Sequence, residues 1–151
     1  MTSYPDGALA MLKARGYRVT KPRRLVLEAL DQARAPLSPY EVAQHLRLVG
    51  ERADAASIYR IFHTLEANGL VHRIIANGKY RKCQLAPEDE CERHQTQHCH
   101  HSLVCRVCGR IEEFHCPGLN LVEQAIAAQT RFAIESHALE FAGVCDQCHA
   151  H

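Results

Sequence analysis

Two Cys-x-x-Cys pairs near the end of the chain constrain its fold more than any other feature of the sequence. Cys105 and Cys108 are followed by Gly109, and Cys145 and Cys148 form a second pair after 36 intervening residues. Each pair can present two thiolates from a tight turn, and four thiolates suit a tetrahedral zinc ion. Because four protein ligands leave no open position, the pattern predicts a structural zinc site.

The alternative interpretations of these cysteines are disulfide bonds and a redox-active pair. The chain has 8 cysteines and 11 histidines, and an even cysteine count is compatible with disulfides. However, the first residues lack the basic and apolar stretches of an export signal, and no apolar run approaches the length of a membrane span. We therefore expect a cytoplasmic protein with reduced thiols and no membrane association. A thioredoxin-like motif would need a strand–helix–strand setting, which is missing here.

Charge divides the sequence into two halves of opposite sign. Residues 1–85 carry 14 Lys and Arg against 7 Asp and Glu, whereas residues 86–151 carry 4 Arg against 10 acidic residues. No cysteine precedes Cys83. A basic half favours a polyanion such as nucleic acid. The alternative, that Lys and Arg merely solvate helix surfaces, is not decided by charge alone.

Capping residues predict four helices in the basic half, each with a Ser, Thr or Asp at its start or a Gly at its end. They are residues 8–15, the stretch from Thr20 to Gln32, the stretch from Ser38 to Gly50 and the stretch from Asp54 to Asn68. The last has an apolar face at helical spacing, formed by Ile58, Ile61, Phe62 and Leu65. Its opposite face carries Ser57, Arg60 and Thr64.

A β-hairpin is predicted next, with strands at 71–75 and 79–85 and a turn at Ala76-Asn77-Gly78. Helices followed by a hairpin are typical of a winged helix, in which the last helix enters the major groove. Arg60 is then placed to reach base edges. The basic residues of the hairpin are placed to meet phosphates: Arg73, Lys79, Arg81 and Lys82. The alternative is a small α+β domain without a ligand.

The acidic half predicts a second, smaller domain. Residues 86–100 are polar and aperiodic, which is typical of a linker. A strand, the first cysteine turn and another strand follow, then a helix at 117–129 and an extended segment at 131–143 with a turn or bulge near residue 136. The predicted class is α+β: a winged-helix DNA-binding domain at 1–85, a hinge at 86–100, and a small α/β dimerisation domain with the four-cysteine zinc at 101–151.

A second group of metal ligands is spread over both halves. His72 and Cys83 lie on the two strands of the predicted hairpin, and Glu113 follows the first cysteine pair. Between them the sequence is rich in imidazole and thiol groups: His98, Cys99, His100 and His101. Such ligands would form a site at the domain junction, and thiolate with imidazole favours zinc over iron. A single surface histidine, in contrast, is usually only a surface histidine.

The sequence resembles the ferric uptake regulator family over essentially its whole length. The resemblance is carried by residues 16–23 (GYRVTKPR), residues 57–60 (SIYR), residues 66–70 (EANGL) and residues 100–109 (HHSLVCRVCG). Within the family, the ending GVCDQC at 143–148 and the pair His72 and Cys83 are most similar to the zinc uptake regulators.

The resemblance implies a homodimeric winged-helix repressor that binds double-stranded operator DNA with an inverted, A·T-rich repeat. It implies about two zinc ions per subunit, one structural and one regulatory. The resemblance implies base contacts by Tyr59 and Arg60, and the other candidate DNA-binding residues are Ser57, Thr64, Arg23 and Lys82. The implied structural ligands are Cys105, Cys108, Cys145 and Cys148, and the implied regulatory ligands are His72, Cys83, Glu113 and either His98 or His100.

The sequence also departs from the family pattern. Ser102 stands where the wider family often has a histidine, and the segment between Cys83 and His98 is long and adds Cys91 and His94. His101 and His137 suggest a third site, but Asn120 stands where the family has a carboxylate. Metal binding by Cys91, His94, Cys99, His101 or His137 therefore stays open.

The predicted function is a zinc-responsive repressor of zinc uptake genes that acts by allostery and not by catalysis. A ferrous iron or peroxide sensor of the same family is the first alternative, and Cys83 argues against it. A zinc enzyme is disfavoured because the sequence has neither HExxH nor a deaminase signature. A zinc-stapled protein-interaction module is disfavoured by the basic first half and the hairpin.

Overall fold

The computed structural model describes residues 3–52, 54–83, 101–114, 118–135 and 137–150. The chain divides into two compact units, with the boundary after Cys83. The predicted hinge at 86–100 lies outside the described residues. Among the helices in the described part of the chain, none is both long and apolar enough to cross a membrane.

The first unit contains four helices: α1 (Tyr4–Ala14), α2 (Lys21–Gln32), α3 (Pro39–Leu48) and α4 (Ala55–Ala67). The predicted caps Thr20, Ser38 and Asp54 each accept a hydrogen bond from a backbone N–H in the first turn of their helix. Helix α1 begins four residues earlier than the predicted start at residue 8, because Ser3 caps it. Pro at the second helical position does not interrupt it, since a first-turn residue needs no N–H partner.

One apolar cluster joins all four helices of this unit. Each helix contributes fully buried side chains, and the largest include Leu12, Leu27, Val42 and Phe62. The apolar face predicted for α4 is confirmed, since Ile58, Ile61, Phe62 and Leu65 are all buried. This packing fixes α4 with its opposite face exposed to solvent.

The predicted hairpin is present, with strands β1 (Val71–Arg73) and β2 (Tyr80–Lys82) paired antiparallel. The strands are shorter than the predicted runs, because the backbone begins to turn after Arg73 and Gly78 adopts a positive φ of 68°. Tyr80 also exchanges two backbone hydrogen bonds with Leu37, both 2.8 Å long. This contact with the segment before α3 was not predicted, since an isolated bridge leaves no sequence pattern.

The second unit contains β3 (His101–Cys105), β4 (Ile111–Phe114), α5 (Leu119–Thr130), β5 (Glu140–Gly143) and α6 (Asp146–His149). Strand β3 lies in the centre of the sheet, antiparallel to β4 and parallel to β5. The extended segment predicted at 131–143 becomes a strand only in its last four residues, and its predicted break near 136 includes a residue outside the described part. The mixed helix and strand content confirms the predicted α+β class.

The second unit buries little apolar surface. Among its described residues, only Cys105 and His101 are buried, and α5 has no buried residue. Its exposed large apolar side chains are Leu103, Val107, Leu121, Val122, Ile126, Phe132 and Phe141. A folded unit with so small a core needs another source of stability, such as a metal ion or a second subunit.

Candidate metal centres and nucleic-acid interface

The two cysteine pairs meet at one end of the β3–β5 sheet. Cys105 is the last residue of β3, and Cys108 lies in the turn that leads to β4. Cys145 follows β5 and precedes α6, which carries Cys148. Since β3 and β5 are parallel neighbours, both cysteine pairs follow the strands at the same end of the sheet. The four sulfur atoms lie within 4.8 Å of one another.

The sulfur geometry of this cluster fits zinc. Two sulfurs at ~2.3 Å from a tetrahedral zinc ion are roughly 3.8 Å apart, and Cys108 Sγ lies 3.7 Å from Cys145 Sγ. The backbone N–H of Cys145 donates to Cys105 Sγ at 3.4 Å. The chain thus provides four thiol ligands, which is the donor set of a closed structural site.

The pKa shifts of two cysteines in this cluster also favour the binding of a cation. Backbone hydrogen bonds, first from Cys108 and then from Cys145, lower the pKa of Cys105 to about 6. Hydrogen bonding to the sulfurs of Cys108 and Cys145 raises the pKa of Cys148 to about 12. The backbone therefore stabilises the thiolate of Cys105, whereas the raised pKa of Cys148 keeps that thiol protonated. A bound divalent ion would replace the proton of Cys148, because cysteines ligate metals as thiolates.

His72 and Cys83 lie on one face of the β1–β2 hairpin. His72 pairs with Arg81, and Cys83 follows two residues later, so alternation places both side chains on the same face. Their ligating atoms lie within 4.8 Å of each other, and both residues are half-buried. The hairpin therefore presents one imidazole and one thiol that can bind the same metal ion, as their spacing across the turn suggested.

The other predicted regulatory ligands belong to the second unit. Glu113 lies on β4, half-buried and opposite Ser102 of β3. His98 and His100 lie outside the described residues, as do Cys91, His94 and Cys99. The choice between His98 and His100 therefore stays open.

His101 and His137 form a third polar cluster together with Glu123. Their Nε2 atoms are 3.0 Å apart, and the rings are stacked with centroids 4.8 Å apart. His137 Nδ1 contacts Glu123 Oε1 on α5. The sequence pointed to the two histidines but missed Glu123, which lies one helical turn after Asn120. Its position three residues after Asn120 is the signal that could have identified it.

The exposed face of α4 carries the predicted DNA-contacting residues. Tyr59 is 55% exposed. Arg60 is exposed as well and donates to Ser57 Oγ at 3.1 Å, while Thr64 donates to the carbonyl of Arg60 at 3.0 Å. Within the described residues, the hydrogen bonds observed for the side chains of Ser57, Arg60 and Thr64 all stay inside this helix. A helix with one packed face and one polar, cationic face suits insertion into a major groove.

Two other predicted DNA contacts are tethered within the first unit. Arg23, in the first turn of α2, donates to the carbonyl of Arg18 and lies over the ring of Tyr17 at 5.6 Å. Lys82 forms an ion pair with Asp31 of α2 at 2.6 Å. On the hairpin, Lys79 is similarly paired with Glu41 at 2.6 Å, and the pKa of Glu41 falls to about 2, first because of this hydrogen bond.

Comparison with known families shows which family the chain belongs to. The model described as "Ferric uptake regulator family" matches residues 14–142. A ferric uptake regulation protein from Legionella pneumophila is 37% identical over 138 residues, which cover 91% of this chain and 95% of that protein. The chain belongs to the ferric uptake regulator family. It is therefore a DNA-binding, metal-sensing transcription regulator and not an enzyme.

Other relatives differ in the signal that their names state. A peroxide operon regulator from Bacillus subtilis is 30% identical over 141 residues, covering 93% of this chain and 90% of that protein. Among solved structures, holo XcZur has a TM-score of 0.81 at 26% identity, with 99% of both chains covered. A zinc uptake regulator complexed with zinc and DNA has a TM-score of 0.83 at 24% identity, covering 99% and 97%, and shows the fold alone.

Proposed function

We propose that this member of the ferric uptake regulator family is a zinc-responsive, homodimeric repressor of zinc uptake genes. The observation that carries the proposal is the pair of His72 and Cys83 on one face of the hairpin. An imidazole and a thiolate are ligands that zinc prefers, whereas an iron sensor is expected to use more oxygen and nitrogen. The likeness to holo XcZur at 26% identity supports the same metal.

The proposed regulatory site combines the hairpin pair with ligands of the second unit. We assign Glu113 and one of His98 and His100 to the same zinc ion, and the four cysteines to a separate structural zinc. An ion bound by both units would favour one arrangement of the two α4 helices, one from each subunit of a dimer. A dimer reads two half-sites only when its two helices have the matching separation. Coupling of this kind is typically ~1–3 kcal/mol, or about 5- to 150-fold in affinity.

The exposed apolar surface of the second unit supports a dimer. Val122 and Ile126 lie one turn apart on α5 and are 50% and 45% exposed, and Phe141 on β5 is 51% exposed. Side chains of this size are rarely left in a contiguous exposed set in a monomer. We assign this surface to contact with a second subunit, which would place one α4 on each half-site of the operator.

Buffered metal titrations test the choice between zinc and iron. We expect purified protein to contain tightly bound zinc and to bind an inverted-repeat operator more tightly as free zinc rises. Ferrous iron at the same free concentrations should give no comparable increase, because Cys83 favours the softer ligand set. The measurement is fluorescence anisotropy of labelled operator against buffered zinc and, anaerobically, ferrous iron. A response to iron or peroxide alone would identify the protein as a sensor of that other signal.

Arg60 should read bases, and its truncation should therefore reduce sequence discrimination. We expect Arg60→Ala to weaken operator binding by about 1–3 kcal/mol while random DNA is affected far less. Lys13→Ala is the matched control, since it removes an exposed cation of α1 that is not among the predicted DNA contacts, and both affinities should stay near the wild-type values. Anisotropy with operator and shuffled duplexes measures both affinities. Equal losses on the two duplexes for Arg60→Ala would show a contact with phosphate only.

A further inference from the structure

Lys82 is held by the helical core of the first unit from two sides. Its ammonium lies 2.6 Å from the carboxylate of Asp31 on α2, and both side chains are only 33% exposed. The same ammonium lies over the ring of Tyr4 of α1 at 5.6 Å. A half-buried ion pair that is also stacked on an aromatic ring is screened less than a surface pair. The geometry directs this cation inward, although the sequence suggested a contact with DNA phosphate.

Tyr4 also contacts the residue that directly precedes β1. Its hydroxyl donates to the carbonyl of Leu70 at 2.6 Å. The backbone N–H of Cys83 donates to the same carbonyl at 3.0 Å. Leu70 lies two residues before His72, and Lys82 lies directly before Cys83. Helices α1 and α2 thus hold the start of β1, two residues before His72, and the end of β2, one residue before Cys83.

We propose that Tyr4, Asp31 and Lys82 are positioning residues for the regulatory metal pair, and that Lys82 does not contact DNA. The proposal rests on the zinc-sensing function proposed above. Outer contacts that fix the orientation of ligands raise metal affinity, since less order must be imposed when the ion binds. With these contacts in place, His72 and Cys83 are held on a common face before zinc arrives.

Two substitutions, one of the cation and one of the anion of this ion pair, distinguish a positioning role of Lys82 from a contact with DNA phosphate. Lys82→Met keeps the aliphatic stem over Tyr4 and removes the cation, whereas Asp31→Asn removes the anion. Under the proposal, both shift the zinc midpoint of operator binding to higher free zinc, by about 2- to 5-fold for a partly exposed ion pair. The double variant should be no worse than either single variant, because both remove the same interaction. Tyr4→Phe should give a shift in the same direction.

Two readouts of the full-length protein make the test specific. A chromophoric chelator in competition measures the affinity for zinc, and anisotropy at several salt concentrations measures the salt dependence of operator binding at saturating zinc. Under the proposal, each single variant binds zinc more weakly than the wild type in competition with the chelator. The salt slope of operator binding stays at the wild-type value. Lys21→Met is the matched control, because it removes a 2.8 Å ion pair with Glu51 that does not involve the hairpin. Its zinc midpoint should equal that of the wild type.

A phosphate contact by Lys82 would produce the opposite pattern. Lys82→Met would then weaken binding to all DNA and lower the salt slope by about one, while Asp31→Asn would leave DNA binding unchanged or strengthen it. That result overturns the proposal, and so do zinc midpoints that remain at the wild-type value in both variants. Failure of the zinc-sensing function is distinguishable, because the wild-type protein itself would then show no zinc dependence.

Discussion

Replacing Cys105 or Cys148 with Ser is expected to release the structural zinc and unfold the second unit. Each variant removes one ligand from a different cysteine pair, so the ion loses its tetrahedral thiolate set. Structural zinc contributes about 10–16 kcal/mol in zinc-finger peptides, which is comparable with the whole stability of a domain, ~5–15 kcal/mol. Among its described residues, this unit buries only Cys105 and His101, so packing cannot replace the ion.

Zinc content, sedimentation and circular dichroism measure this outcome. Zinc should fall by about one ion per subunit, the dimer should dissociate, and operator binding should be lost at every zinc concentration. Val107→Ser is the matched control, since it changes an exposed side chain between Cys105 and Cys108 and leaves all four thiols in place. Normal zinc content and a stable dimer in both Cys105→Ser and Cys148→Ser would show that these cysteines hold no structural metal.

Replacing Cys83 with Ser is expected to uncouple zinc from DNA binding while the fold persists. The variant should remain a dimer, keep the four-cysteine zinc and lose about one other zinc ion per subunit. Under the proposed function, zinc-stimulated operator binding should disappear, because zinc would no longer favour one arrangement of the protein over another. The loss corresponds to the full coupling, roughly 5- to 150-fold in affinity for the operator.

A structural role of Cys83 predicts a different result. A half-buried cysteine that only packs as a small apolar group would make Cys83→Ser modestly less stable, with the zinc response intact. Cys83→Ala separates the two roles, since it keeps the apolar character and removes the ligand. Operator titrations against buffered zinc that superimpose for Cys83→Ala and wild type would eliminate Cys83 as a sensor ligand and favour an iron or peroxide signal.

Local patterns in the sequence were sufficient for most elements of the fold. Three helix starts followed from capping residues, because a Ser, Thr or Asp side chain satisfies first-turn N–H groups in any tertiary context. The four-cysteine cluster followed from spacing alone, because a tight turn brings two thiols of one pair to the same ion. The start of α1 was missed by four residues, because the cap at Ser3 precedes a short and weakly patterned stretch.

Only the tertiary structure revealed the partners of individual side chains. The contacts of Lys82 with Asp31 and Tyr4 join residues 51 and 78 positions apart, and no periodicity in the sequence predicts such pairs. Lys82 on the predicted hairpin was therefore assigned to a phosphate contact, whereas its ammonium contacts Asp31 of α2 and the ring of Tyr4 of α1. Glu123 was missed for a similar reason, since its contact with His137 joins α5 to the segment that precedes β5.

The sequence by itself determined the class of the protein, its division into two units and the pairing of the four cysteines into one cluster. These properties depend on residue type and on short-range spacing, which the backbone geometry of turns, helices and strands converts directly into structure. The tertiary structure decided which cations face solvent, which strand faces carry His72 and Cys83, and that the second unit lacks a core of its own among its described residues. These properties depend on packing between distant segments, and packing is specified by the whole set of side chains at once.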